Sequence, residues 1–156
     1  MSNPPQPYFP FNENYLVRVE ALDAQHQEIV KVLNDLHELV VAQKPRELQL
    51  DLLTRLVNLT KTHFATEEQV LRVRKYPGYF RHRTAHEGLA YNLKEYRERI
   101  ARREREITLE YVDLMKLWLI DHFAEFDHAY VGFLDAEDHP IESTTGERGG
   151  GLPASN

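Results

Sequence analysis

The sequence predicts an all-α protein: an up-down-up-down four-helix bundle with an extended N-terminal arm and a disordered C-terminal tail. Three observations carry this reading. Apolar residues recur at steps of three and four through four long segments, no segment shows the alternation of a strand, and the connections are short, two of them marked by Pro45 and by Pro77-Gly78. With 156 residues and 42% hydrophobic content, the chain suits one compact domain better than two. The expected division is an arm over 1–19, a bundle over 20–134 and a tail over 135–156.

The arm carries Pro4, Pro5, Pro7 and Pro10, which disfavour regular structure, and ends in Phe9, Phe11 and Tyr15, which are expected to pack on the domain. The first helix, roughly 20 to 42, follows from the spacing of His26, Ile29, Leu33, His37 and Val40. Pro45 suits the first turn of a second helix, in which Leu52, Leu56, Leu59, His63 and Val70 keep the helix period to about Arg74. After the Tyr76-Pro77-Gly78 break, His82, His86, Leu89, Leu93, Tyr96 and Ile100 define a third helix, expected to end near Arg105. Its second half mixes Arg and Glu densely, which reads as a solvated face laced with ion pairs rather than a binding patch. The fourth helix takes in Leu109, Val112, Met115, Leu119, His122 and Phe126 and ends near Leu134. Beyond it the composition turns to Pro, Gly, Ser, Thr and acidic residues.

Composition narrows the function. A net charge of -6 argues against a general nucleic-acid or anionic-membrane binder. No window has the roughly 20 apolar residues of a membrane helix, and the N-terminus lacks a signal-peptide pattern, so a cytoplasmic location without membrane insertion is expected. The absence of cysteine removes disulfides, iron–sulfur clusters, thiolate zinc sites and cysteine nucleophiles. Eight histidines remain as the chemical lead.

Three doublets stand out: His63 with Glu67, His82 with His86, and His122 with Asp127. A step of four on a helix returns to within roughly 40° of the starting direction and about 6 Å along the axis, so the first two doublets are chelating pairs if they face inward. Both lie in phase with the leucine stripes of their helices. A step of five leaves Asp127 roughly 140° from His122 on a regular helix. Either the aspartate reaches around or the helix is locally distorted, and a bulge of the wider i to i+5 kind is the favoured reading. A lone inward histidine is ordinarily a hydrogen-bonded core residue, and His26, with no partner on its own helix, would be read so in isolation. Several inward imidazoles together with two carboxylates are different, because each unpaired buried charge costs several kcal/mol and a multivalent cation removes that cost. His37 lies about 16 Å along the helix from His26, too far to join it. His128 neighbours Asp127 and should point elsewhere, and His139 falls in the tail.

One histidine on the first helix, HxxxE on the second, HxxxH on the third and HxxxxD on the fourth together resemble the hemerythrin family, in particular its single-domain bacterial members. The resemblance covers about Phe11 to Leu134. It includes Phe11-Asn-Glu-Asn-Tyr15, Leu22-Asp-Ala-Gln-His26, His63-Phe-Ala-Thr-Glu67-Glu68, Tyr76-Pro77 and Trp118-Leu119-Ile-Asp-His122. Phe11, Arg18 and Leu71 depart from the family's usual Trp, Gly and Met. The resemblance implies two non-heme iron ions joined by an oxo or hydroxo bridge. His82, His86 and His122 would bind one, His26 and His63 the other, and Glu67 and Asp127 would bridge both, leaving the second iron a vacant position for dioxygen. The expected function is reversible dioxygen binding for transport, storage or delivery by a monomeric non-enzyme, with an oxygen-using enzyme as recipient. The alternatives are a di-iron enzyme consuming peroxide or nitric oxide, or an oxygen- or iron-sensing module. Imidazole and carboxylate donors without sulfur suit iron. With five histidines and two carboxylates, the set is less anionic than that of ferritin-like di-iron enzymes, which favours reversible binding over O–O cleavage.

Overall fold

The computed structural model describes residues 2–138; His139 and the rest of the sequence-read tail beyond Asp138 lie outside the described residues. Five helices follow the arm: α1 (Glu20–Val41), α2 (Arg46–Val73), α3 (Tyr79–Ala101), α4 (Leu109–Asp121) and α5 (His128–Asp138). Between α4 and α5, His122–Asp127 form a π-helical turn, so that α4, this turn and α5 make one continuous fourth rod. That rod runs to Asp138, beyond the expected end near Leu134. The connections, residues 42–45, 74–78 and 102–108, are short enough to force successive rods antiparallel. In this bundle α1 packs on α2 and α4, and α2 packs on α3. Among the described residues no helix is long and apolar enough to cross a membrane.

Each of the first three helices ends in the same way. The residue after the cap turns left-handed, at Gln43 (φ 50°), Lys75 (φ 57°) and Arg103 (φ 61°). The amides of Lys44, Tyr76 and Glu104 then reach back to the carbonyls of Leu39, Leu71 and Arg99 at 2.9, 2.9 and 3.0 Å. These are Schellman closures, which satisfy carbonyls that the last helical turn would otherwise leave open. The closure at Arg103 is why α3 stops at Ala101 rather than near Arg105. None of the three left-handed residues is glycine, and Arg18 in the arm also sits at φ 62°. A Cβ makes that conformation costly. Replacing the exposed Lys75 by glycine is therefore expected to stabilise the bundle by about 0.5–1 kcal/mol in a denaturant melt. An unchanged or lower midpoint would show that the closure carries no strain.

The core falls into two apolar clusters. The larger joins Leu33 and Leu36 of α1, Leu53 and Leu56 of α2, Leu93 and Ile100 of α3, and Val112 and Met115 of α4. The smaller joins Val17, Leu22, Leu71, Tyr130 and Leu134. On α3 all six expected inward residues are buried. On α2 the stripe is displaced by one residue from the expected one: Leu53, Thr60 and Leu71 are inside, while Leu52, Leu59 and Val70 are only half-buried. The ion-paired face expected on α3 is present, with Lys94–Glu98 at 3.7 Å and Arg99–Glu95 at 3.2 Å.

The arm is seated rather than loose. Phe9 is 1% exposed, and its amide and carbonyl pair with the Asn34 side chain at 2.7 and 2.9 Å. Tyr8 stacks on His37 at 3.7 Å, and Lys116 donates to the Tyr8 carbonyl at 2.7 Å. His37 is thus engaged by the arm, away from the other histidines. A one-turn 3₁₀ helix, Glu13–Tyr15, capped by Asn12, then carries the Tyr15 ring against Phe123.

Candidate metal centre

Between the two apolar clusters the inward face of every rod turns polar. His26 comes from α1, His63 and Glu67 from α2, His82 and His86 from α3, and His122 and Asp127 from the two ends of the π-turn. The structure brings all seven sequence-read residues together, none more than 4% exposed. The π-turn answers the spacing problem of the last doublet. Its wider i to i+5 winding returns Asp127 to the His122 side, where Oδ1 lies 2.9 Å from His122 Nε2. His128, the next residue, is exposed.

The donor atoms form two groups that share Glu67 and Asp127. One adds His82, His86 and His122, the other His26 and His63. All five imidazoles present Nε2 to the interior: His26 to His63 at 2.9 Å, His82 to His86 at 3.1 Å and His86 to His122 at 3.0 Å. For three of them the opposite nitrogen is fixed. His26 Nδ1–H donates to the Tyr15 carbonyl at 3.1 Å, His63 Nδ1–H to Gln25 Oε1 at 2.9 Å, and His86 Nδ1–H to Glu68 Oε1 at 2.9 Å. With the proton on Nδ1, Nε2 offers a lone pair inward, and such acceptor atoms this close repel unless an electrophile lies among them.

The electrostatics agree. Burial is the largest influence on Asp127 and would raise its pKa, yet the imidazoles of His122, His26 and His82 beside it hold it well below the carboxylate range. Burial and Asp127 likewise push Glu67 up, and hydrogen bonds with His82 and His86 outweigh them and bring it down to about 2. His82 moves the other way: burial lowers it, but Asp127 and Glu67 raise it to about 9, whereas burial dominates at His63 and lowers it to about 4. Two buried carboxylate anions are thus balanced by imidazolium, the role that a multivalent cation takes when it displaces the proton. Both oxygens of Asp127 lack an ordinary hydrogen-bond partner. An orphaned buried carboxylate facing convergent imidazoles fits a resident metal.

Comparison with known proteins bears on the same residues. The family model for the hemerythrin HHE cation binding domain matches residues 17–134. The chain belongs to the hemerythrin family. A bacteriohemerythrin of Stenotrophomonas maltophilia (strain R551-3) is 31% identical over 116 residues, 73% of this chain and 73% of that protein. A myohemerythrin of Sipunculus nudus is 29% identical over 130 residues, 83% of this chain and 96% of that one. Among solved structures, a hemerythrin variant superposes with a TM-score of 0.78 at 21% identity, covering 84% of this chain and all 100% of that one. Wild-type hemerythrin gives 0.71 at 24%, covering 76% and 90%. These two likenesses establish the fold. Hemerythrins are known for oxygen binding at a di-iron site.

Four contributors were not read from the sequence. Tyr130, fully buried on α5, donates its hydroxyl to Glu67 Oε1, and burial together with the Glu67 charge pushes its own pKa upward. Its place three residues after Asp127 was a usable periodic signal. Glu68 is adjacent to Glu67, and only the fold shows that it reaches His86. Gln25 orients His63 from a neighbouring helix and itself donates to Thr66 Oγ1 at 3.2 Å. The Tyr15 carbonyl belongs to the backbone and leaves no mark on side-chain spacing.

Proposed function

We propose that this chain binds dioxygen reversibly at a di-iron centre held by His26, His63, Glu67, His82, His86, His122 and Asp127. The observation that carries the reading is the asymmetry of the two donor groups: they share both carboxylates, but one has three histidines and the other two. One fewer protein donor on the His26 and His63 side leaves room there for an outside ligand. A pair of ferrous ions bound by these residues would supply electrons for a reversible reduction of dioxygen.

The protein's own groups make the exchange reversible by controlling water and protons. Phe123 lies 4.4 Å from the His26 ring and 5.3 Å from the Tyr15 ring, and Phe64 stacks on His86 at 3.8 Å. These rings wall the polar centre from solvent, which strengthens its electrostatics and limits proton access. The Tyr130 hydroxyl donates a hydrogen bond to Glu67 Oε1, so that the shared carboxylate stays oriented and ionised. The fixed Nδ1 partners keep the His26, His63 and His86 imidazoles from rotating when the outside ligand leaves.

The test is anaerobic titration of the reduced, iron-loaded protein with oxygen. The expected result is a visible absorption band that saturates at one dioxygen per two irons, disappears on degassing and returns over repeated cycles. Irreversible oxidation in the first cycle, or sustained turnover when a reductant is supplied, would replace this reading with that of a di-iron enzyme.

A further inference from the structure

Tyrosines aside, eight polar or charged side chains are buried among the described residues; seven are the donors of the metal centre, and the eighth is Thr60. It is 1% exposed, it lies among the inward residues of α2, and its hydroxyl has no hydrogen-bond partner among the described residues. Other helical threonines of this chain satisfy themselves: Thr66 donates to the Thr62 carbonyl and Thr84 to the Phe80 carbonyl, each at 2.9 Å. Thr60 makes no such bond to its own preceding turn, which leaves its proton free for another acceptor. An unsatisfied buried hydroxyl costs free energy, and a valine of nearly the same shape would avoid that cost.

The order of inward residues along the rods shows on which side of the histidines Thr60 stands. On α2, Glu67 and then Leu71 lead from His63 into the smaller apolar cluster, whereas Thr60 and then Leu56 lead into the larger one. On the fourth rod, Asp127 and Tyr130 follow His122 towards the smaller cluster, and Leu119 precedes it within the larger. Both carboxylates thus come from the smaller-cluster side. On the larger-cluster side the inward residues one turn from the histidines are Ile29, Leu89 and Leu119, with Thr60 as the polar member. Its nearest donor along the chain is His63, of the two-histidine group, and residues three apart on a helix have Cβ atoms about 5–6 Å apart. Given the exchange position proposed on the His26 and His63 side, on which this rests, we infer that the Thr60 hydroxyl donates a hydrogen bond to the outside ligand. It favours ligands that carry a free acceptor atom and sets how tightly they are held.

Thr60→Val and Thr60→Ser, compared with wild type as full chains, test this in two ways. In the metal-free proteins, Thr60→Val is expected to raise the melting temperature by about 2–4 °C, because it removes an unsatisfied hydroxyl at nearly constant volume. In the iron-loaded, oxidised proteins, titration with azide, followed by its visible absorption, is expected to give a dissociation constant about tenfold higher for Thr60→Val. Thr60→Ser, which keeps the hydroxyl, should bind azide close to wild type. Azide carries a terminal acceptor atom and needs no reversible oxygenation, so failure here is distinct from failure of the dioxygen titration. A metal-free Thr60→Val that melts at or below wild type would mean that the hydroxyl is already satisfied inside the bundle. That outcome, equal azide affinities for wild type and Thr60→Val, or no azide binding by wild type each overturns the proposal.

Discussion

Loading the apo-protein with ferrous iron is expected to raise its melting temperature by about 10 °C. The centre gathers five imidazole nitrogens and two carboxylates that only the folded bundle brings within one another's reach. A ligand held by the native state alone stabilises it by about 4 kcal/mol at a free concentration a thousand times Kd, and for a domain of this size each kcal/mol moves the midpoint by roughly 2–4 °C. Glu67→Ala should remove the iron-dependent part of the shift almost entirely, because Glu67 belongs to both donor groups and anchors the Tyr130 hydroxyl. Calorimetric scans with and without iron, alongside metal analysis, measure both quantities. Equal melting temperatures for apo and loaded protein, together with two irons retained by the variant, would mean that these residues do not hold the metal.

Phe9→Ala is expected to cost about 3 kcal/mol of stability and to hasten irreversible oxidation of the oxygenated protein by at least about tenfold. The stability cost is that of deleting a fully buried phenyl ring. The chemical effect follows from what the ring supports. Phe9 packs edge-on against Tyr15, Tyr15 packs against Phe123, and the Tyr15 carbonyl holds His26 Nδ1. Loosening that chain admits water to the side of the centre where an outside ligand is proposed to bind. A denaturant melt and the decay of the oxygenated spectrum read the two effects separately. Wild-type decay in a variant that is destabilised would confine Phe9 to a packing role.

The α3 stripe was readable because histidines, leucines, Tyr96 and Ile100 fall on one face with only the small Ala85, Ala90 and Ala101 as apolar residues directly beside them. On α2 the run Leu52-Leu53 offers two adjacent phases, and the true one carries Thr60 inward, so hydropathy favoured the neighbouring stripe. The metal-binding doublets survived this slip because His63 and Leu56 lie in both phases. Proline content foretold an arm over the first residues but not its seat on Asn34 and Lys116, since those contacts join positions far apart in the chain. The groups that hold Nδ1 of His63 and His86 escaped for the same reason: a hydrogen bond between helices has no sequence period.

The π-turn at His122–Asp127 sets the rotational phase of everything that follows it in the fourth rod. A substitution there changes one side chain. Relaxation of the turn to ordinary α-helical winding with all its residues kept would rotate all of α5 relative to the bundle by about 100°. Tyr130 and Leu134 would leave the smaller apolar cluster together, and the Tyr130 hydroxyl would lose Glu67. The six-residue turn therefore acts as a phase-setter between two stretches of one helix. Loss of one residue within the turn would be made good by that same relaxation, whereas loss of one elsewhere in the rod would not.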